Sequence, residues 1–169
     1  MQVGVYSGSF DPFTLGHASI IQQALKTFET VYVVVGVNPA KKPLLDADAR
    51  MRLILDWAST IQDGERIIVQ SSVNEFLADV ADGLGACLIR GIRNAQDYDY
   101  EQTVFDVNKV IAPTVPTVYF FTDQKHRNIS SSLVKGMVGF ENWEERVAHF
   151  VPPATLNALK ERGNPKFSQ

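Results

Sequence analysis

The sequence is short of cysteine, of long apolar runs and of any excess of positive charge. Cys87 is the single cysteine in 169 residues, which excludes an intramolecular disulfide framework and suits a reducing compartment. It lies in an apolar run, where a buried inert thiol is the expected state. No apolar stretch approaches the roughly 20 residues that span a bilayer. The segment from Met1 to Tyr6 also lacks the basic region and long apolar core of a secretory signal, so a cytoplasmic protein without a membrane partner is expected. Lys and Arg number 16 against 19 Asp and Glu, a formal net charge of -3. That balance argues against the broad basic face of a sequence-independent nucleic-acid binder. No nucleic-acid partner is expected, and any anion site must be local.

What is present is ordinary globular material: 45% apolar and 21% charged residues place the chain well away from disordered compositions. The length fits one domain, expected over residues 1–162, with 163–169 as a polar tail. Short runs rich in β-branched and aromatic residues read as strands at Val3 to Tyr6, Val31 to Val37, Ile67 to Val69, Cys87 to Ile89 and Val118 to Phe121. Between them the period becomes helical: Ile21, Ala24, Leu25 and Phe28; Met51, Ile54, Leu55 and Ala58; Val104, Val107 and Ile111. Each set predicts one apolar helix face. Val31 to Val35 is apolar at every position, as parallel strands covered on both sides require. The expectation is an α/β fold, a doubly wound (Rossmann-like) five-stranded parallel sheet with helices on both faces. A short helical closure follows over Ala154 to Arg162. In such sheets ligands bind beyond the carboxyl ends of the strands.

The chemically suggestive segments all follow strands. After the first comes Ser7-Gly8-Ser9-Phe10-Asp11-Pro12-Phe13-Thr14-Leu15-Gly16-His17, a glycine-containing turn leading into a helix, where free N–H groups and the helix dipole favour an anion. Composition alone slightly favours an unliganded turn. Asn38-Pro39-Ala40-Lys41-Lys42-Pro43 follows the second strand and, by itself, is a solvated turn. Arg90-Gly91-Ile92-Arg93 offers two planar guanidinium forks suited to phosphate, or a surface set neutralised by Asp97, Asp99 and Glu101. His126-Arg127-Asn128-Ile129-Ser130-Ser131-Ser132-Leu133-Val134-Lys135 starts a helix, which its serines can cap.

The order of residues is more specific than their types. G-S-F-D-P-F-T-L-G-H resembles the signature of the superfamily that joins class I aminoacyl-tRNA synthetases to small nucleotidyltransferases. N-P-A-K-K-P, R-G-I-R with D-Y-D-Y-E, I-S-S-S-L-V-K and the closing His149-Phe150-Val151-Pro152 are similar to the bacterial-type phosphopantetheine adenylyltransferases. Thr14, where many relatives carry a first histidine, and the R-G-I-R segment weigh against the nicotinate-mononucleotide and cytidylyl branches. The resemblance covers nearly the whole chain and implies transfer of the adenylyl group of ATP to 4′-phosphopantetheine, giving dephospho-coenzyme A and pyrophosphate.

By the same resemblance, His17 and Lys41 would be catalytic. Ser9, Lys41, Leu77 and Arg90 would hold the acceptor. ATP would meet Ser9, Phe10, His17, Gly91, Ile92, Arg93 and Glu101, then His126, Arg127, Asn128, Ile129, Ser130, Ser131 and Ser132. Magnesium (Mg2+) would accompany ATP without dedicated protein ligands, and a homohexamer is implied. Two rivals of another class, a nucleotide-sensing module without turnover and a flavodoxin-like carrier, share the expected fold class.

Overall fold

The computed structural model describes residues 2–40 and 42–162. Among them five strands form one sheet: β1 (Val3–Gly8), β2 (Thr30–Val37), β3 (Ile67–Val73), β4 (Cys87–Ile92) and β5 (Thr117–Phe121). Every pairing is parallel and the order is β3-β2-β1-β4-β5. Parallel neighbours need long crossovers, here α1 (Leu15–Ala24), α2 (Ala47–Ala58), α3 (Leu77–Gly83) and α4 (Ala95–Ile111). After β5 come α5 (Ser131–Met137), α6 (Trp143–Val147) and α7 (Pro153–Glu161). This is the doubly wound sheet expected. Its order is that of a Rossmann sheet, whereas a flavodoxin-like sheet runs 2-1-3-4-5, so that rival fails on topology. The order reverses between β1 and β4, where a crevice opens beyond the strand ends.

The period-two alternation of the strands divides the core. Tyr6, Val33, Val35 and Ile89 pack with Ile20, Ile21, Ile54 and Trp57 on the face of α1 and α2. Val5, Val34 and Leu88 pack with Ala78, Ala81 and Val115 on the face of α3 and α4. A third cluster of Val134, Val138, Val147, Val151 and Leu159 joins α5, α6 and α7. Leu15 N–H donates to the Phe150 carbonyl at 2.9 Å, tying this closure to the start of α1.

Three local expectations change. Strands β1, β3 and β4 run on to Gly8, Val73 and Ile92, past the point where Ser7, Gln70 and Arg90 break the apolar run, because ladder pairing rather than hydrophobicity carries their ends. On α2 the buried face is Arg50, Leu53, Ile54, Trp57 and Ala58, while Leu55 is exposed. On α4 the one buried residue is Glu101; Val107 is exposed, as is its neighbour Val110 at 82%. Val104 and Ile111 of the expected face are partly buried, Ile111 against the core, and the polar contact of Glu101 to β4 completes the attachment of the helix. The segment 163–169 expected as a tail lies outside the described residues.

Candidate active site

Two cavities open at the carboxyl ends of the strands and share two wall residues, Ser7 and Arg90. The first, about 270 Å³, lies at the β1/β4 reversal and is lined by Tyr6, His17, Gly91, Arg93, Glu101, Ile129, Ser130 and Ser131, among others. The second, about 540 Å³, is lined by Gly8, Ser9, Gly36, Asn38, Asn74 and Leu77, among others. Half of the residues expected at ATP, His17, Gly91, Arg93, Glu101, Ile129, Ser130 and Ser131, therefore fall in the first cavity, and Ser9 and Leu77 fall with Arg90 in the second.

His17 reaches the first cavity because α1 begins with a capping box. Thr14 at the N-cap accepts from His17 N–H at 3.4 Å, and His17 Nδ1 accepts from Thr14 N–H at 3.1 Å. A ring nitrogen that accepts carries no proton, so the neutral imidazole holds its hydrogen on Nε2. Phe10 meets the ring edge-on at 5.0 Å and Phe13 stacks on it at 5.9 Å. Burial, with the Arg93 charge adding to it, lowers the His17 pKa to about 4. His17 thus presents a neutral N–H donor rather than a positive charge.

Arg90 Nε and Nη2 donate to the two carboxylate oxygens of Glu101 at 2.6 and 2.5 Å. Burial disfavours the Arg90 cation, but the Glu101 bonds and charge outweigh it and raise the pKa. Arg93 likewise donates from Nε and Nη2 to Asp97 at 2.7 and 2.9 Å, and this pairing holds the Asp97 carboxyl below its usual range. The neutralising reading of these arginines is therefore physically present. It also fixes the direction of each fork, leaving Nη1 of Arg90 as the nitrogen not engaged by Glu101. Gly91 lets α1 approach β4, since a Cβ there would stand 3.0 Å from Ile20 Cγ1.

At the start of α5, Ser130 Oγ caps Leu133 N–H at 3.1 Å and Ser131 Oγ donates to the Pro12 carbonyl at 2.8 Å. Both hydroxyls serve the structure, while first-turn N–H groups have no partner within a helix. Gly16 passes so close to this segment that a Cβ would lie 3.2 Å from the Ile129 carbonyl.

Phe10 and Ile92 are core residues; they lie outside both linings, as do His126, Arg127, Asn128 and Ser132. Lys41 lies outside the described residues. Sequence reasoning passed over Tyr6, a core residue at the wall of the first cavity whose hydroxyl is pushed strongly up in pKa by burial. It also passed over Asp11, whose buried carboxylate accepts from Leu44 and Leu45 N–H at 2.8 Å each. Asp11 stands inside the first motif, which was the available signal; Tyr6, one residue before that motif, had none beyond its place in a strand.

A sheet reversing at β1/β4, with two anion-suited cavities meeting at an arginine, defines a nucleotide-handling α/β protein. Residues 5–137 match the family described as Cytidylyltransferase-like. The phosphopantetheine adenylyltransferase of Chromobacterium violaceum is 35% identical over 153 residues, covering 90% of this chain and 92% of that protein. The protein of the same name from Leuconostoc citreum is 36% identical over 166 residues, covering 97% of this chain and all of that protein. The Plasmodium falciparum nicotinic acid mononucleotide adenylyltransferase, solved in complex with NaAD, superposes with a TM-score of 0.70 at 14% identity over 95% of both chains. That last likeness concerns the fold. The chain belongs to the cytidylyltransferase-like nucleotidyltransferases and, within them, to the phosphopantetheine adenylyltransferases.

Proposed function

We propose that the chain joins ATP to 4′-phosphopantetheine, releasing pyrophosphate and forming dephospho-coenzyme A. The observation that carries the reading is the pair of cavities meeting along Ser7 and Arg90, where a guanidinium and a hydroxyl can offset the repulsion between two anionic substrates. The acceptor phosphate attacks the α-phosphorus of ATP, a P–O bond forms to it, and the bond to pyrophosphate breaks. The nucleophile is an anion already, so the protein's work is to hold two phosphates in line and stabilise the moving charge.

Arg90 Nη1 faces the acceptor phosphate in this scheme. His17 donates from Nε2 to the α-phosphate, and Lys41 joins at the transferring phosphates. The first cavity takes the nucleotide, with the N–H groups at the start of α5 near its phosphates and Ser9 and Leu77 on the acceptor side. Glu101 and Asp97 are each engaged by an arginine, so the donor set suits an anion rather than a bare cation. Magnesium would be held by the triphosphate rather than by these residues, and there it would supply positive charge against the departing pyrophosphate.

The same reading includes a cytoplasmic setting and a homohexamer. No helix of the described residues is long and apolar enough to cross a membrane. Support for assembly is the apolar surface on α4 and edge strand β5: Tyr98, Val107, Val110 and Phe121 are each more than half exposed.

Mixing the protein with ATP, Mg2+ and 4′-phosphopantetheine and following pyrophosphate tests the reaction. Stoichiometric release with dephospho-coenzyme A is expected. Tight ATP binding without release would instead favour a nucleotide sensor.

A further inference from the structure

Arg50 is an arginine on α2, only 3% exposed, that sits behind the second cavity without being part of its lining. Its bonds go to backbone carbonyls: Nη1 donates to Ser9 at 2.6 Å and to Gly36 at 3.3 Å, and Nε donates to Asp46 at 3.2 Å. Among the described residues no carboxylate forms an ion pair with it. A buried cation is ordinarily matched by an acid, so this arrangement calls for a reason.

The sheet register supplies one. The β1/β2 ladder ends at Gly8 opposite Val35. Ser9 and Gly36, the next residue on each strand, would be the next rung. Instead the strands part, and one guanidinium nitrogen takes both carbonyls. Arg50 thus continues the ladder with a side chain while holding the two backbones open, and the opened residues Ser9 and Gly36 line the second cavity. We propose that Arg50 is a positioning residue for the acceptor site: it sets the separation of the β1 and β2 ends, and its buried charge favours the anion that enters between them. The proposal rests on the assignment of the second cavity to the phosphorylated acceptor.

The test compares wild type with Arg50→Lys, which keeps a charge but lacks the planar fork that reaches several carbonyls at once, and with Arg50→Met. Arg50→Lys is expected to raise KM for 4′-phosphopantetheine by about tenfold or more while KM for ATP stays within about twofold. Backbone hydrogen exchange over residues 7–12 and 35–40 should quicken by about tenfold or more, with α7 unchanged. If the methionine variant does not fold, the lysine variant carries both measurements. A variant that melts earlier yet keeps both KM values and the exchange pattern overturns the proposal, as does a parallel rise in both KM values. Wild type inert toward 4′-phosphopantetheine would strike the acceptor assignment instead, and the exchange comparison would still decide the role of Arg50.

Discussion

His17 concentrates the account at the level of single residues, because it is both a structural and a chemical group. Its Nδ1 completes the cap of α1, so replacing it by alanine removes a cap contact, worth about 1 kcal/mol, together with the Nε2 donor. Asparagine places an acceptor near the Nδ1 position and nothing at Nε2, which separates the two roles. We expect His17→Asn to melt close to wild type and to lose about 10²- to 10³-fold in kcat, the usual loss for one donor aimed at developing charge. His17→Ala should show the same kinetic loss and a lower melting temperature. Measured on one preparation each, a stable and fully active His17→Asn would remove His17 from the chemistry.

The lowered pKa of His17 has its own consequence. Its folded value of about 4 lies below the ordinary 6.5, so on acidification the unfolded chain takes up the proton first. His17 therefore favours folding fully above pH 6.5, and that contribution is lost as pH falls from there toward about 4. Nitrogen-15 NMR of the imidazole at pH 6 should report a neutral ring protonated on Nε2; an imidazolium at that pH would contradict the reading. None of this was legible in the sequence. The motif marked His17, but the tautomer depends on Thr14 and the pKa on enclosure by the fold.

Among the elements, β4 and α4 form one unit through Arg90 and Glu101. Helix α4 buries Glu101 and exposes Val107 and Val110, so the ion pair adds to what the partly buried Val104 and Ile111 contribute. Arg90→Ala should raise KM for the acceptor with little change in KM for ATP, as expected for a contact already made in the ground state. Glu101→Ala leaves a largely enclosed guanidinium without its partner and should destabilise by about 1–3 kcal/mol, read by denaturant unfolding, with losses toward both substrates as the Arg90 fork is released. Equal KM losses for Arg90→Ala would point to a role in holding the fold.

The strand and helix pattern of the sheet could be read directly from sequence where residues were apolar, as in Val31 to Val35. It failed where polar residues interrupt the strands: Ser7 and Arg90 line the cavities at their strand ends and Gln70 stands within β3, and polarity there hides the ladder. Helices α3 and α6, of 7 and 5 residues, are too short to display a period. Buried Arg50 was invisible for the opposite reason, since an arginine in an amphipathic pattern reads as solvent-facing.

For the whole molecule, the four motifs are far apart in sequence, and the parallel topology gathers them because every strand ends on the same side. That is why motif order was informative about function while cavity shape was not. The exposed apolar surface of α4 and β5 concerns assembly: Val110→Glu places a charge at its most exposed point and should shift light-scattering mass toward the monomer, leaving the far-ultraviolet circular dichroism unchanged. Unaltered mass would exclude this face from the interface.

At the centre of the proposed reaction, two phosphates, each in its own cavity, are held in line and joined without a covalent intermediate on the protein. Its most direct test measures pyrophosphate release from ATP with 4′-phosphopantetheine and, in parallel, with unphosphorylated pantetheine. Release is expected with the phosphorylated acceptor and essentially none with pantetheine, which offers Arg90 no anion. Comparable release from both, or release from neither, would contradict the account.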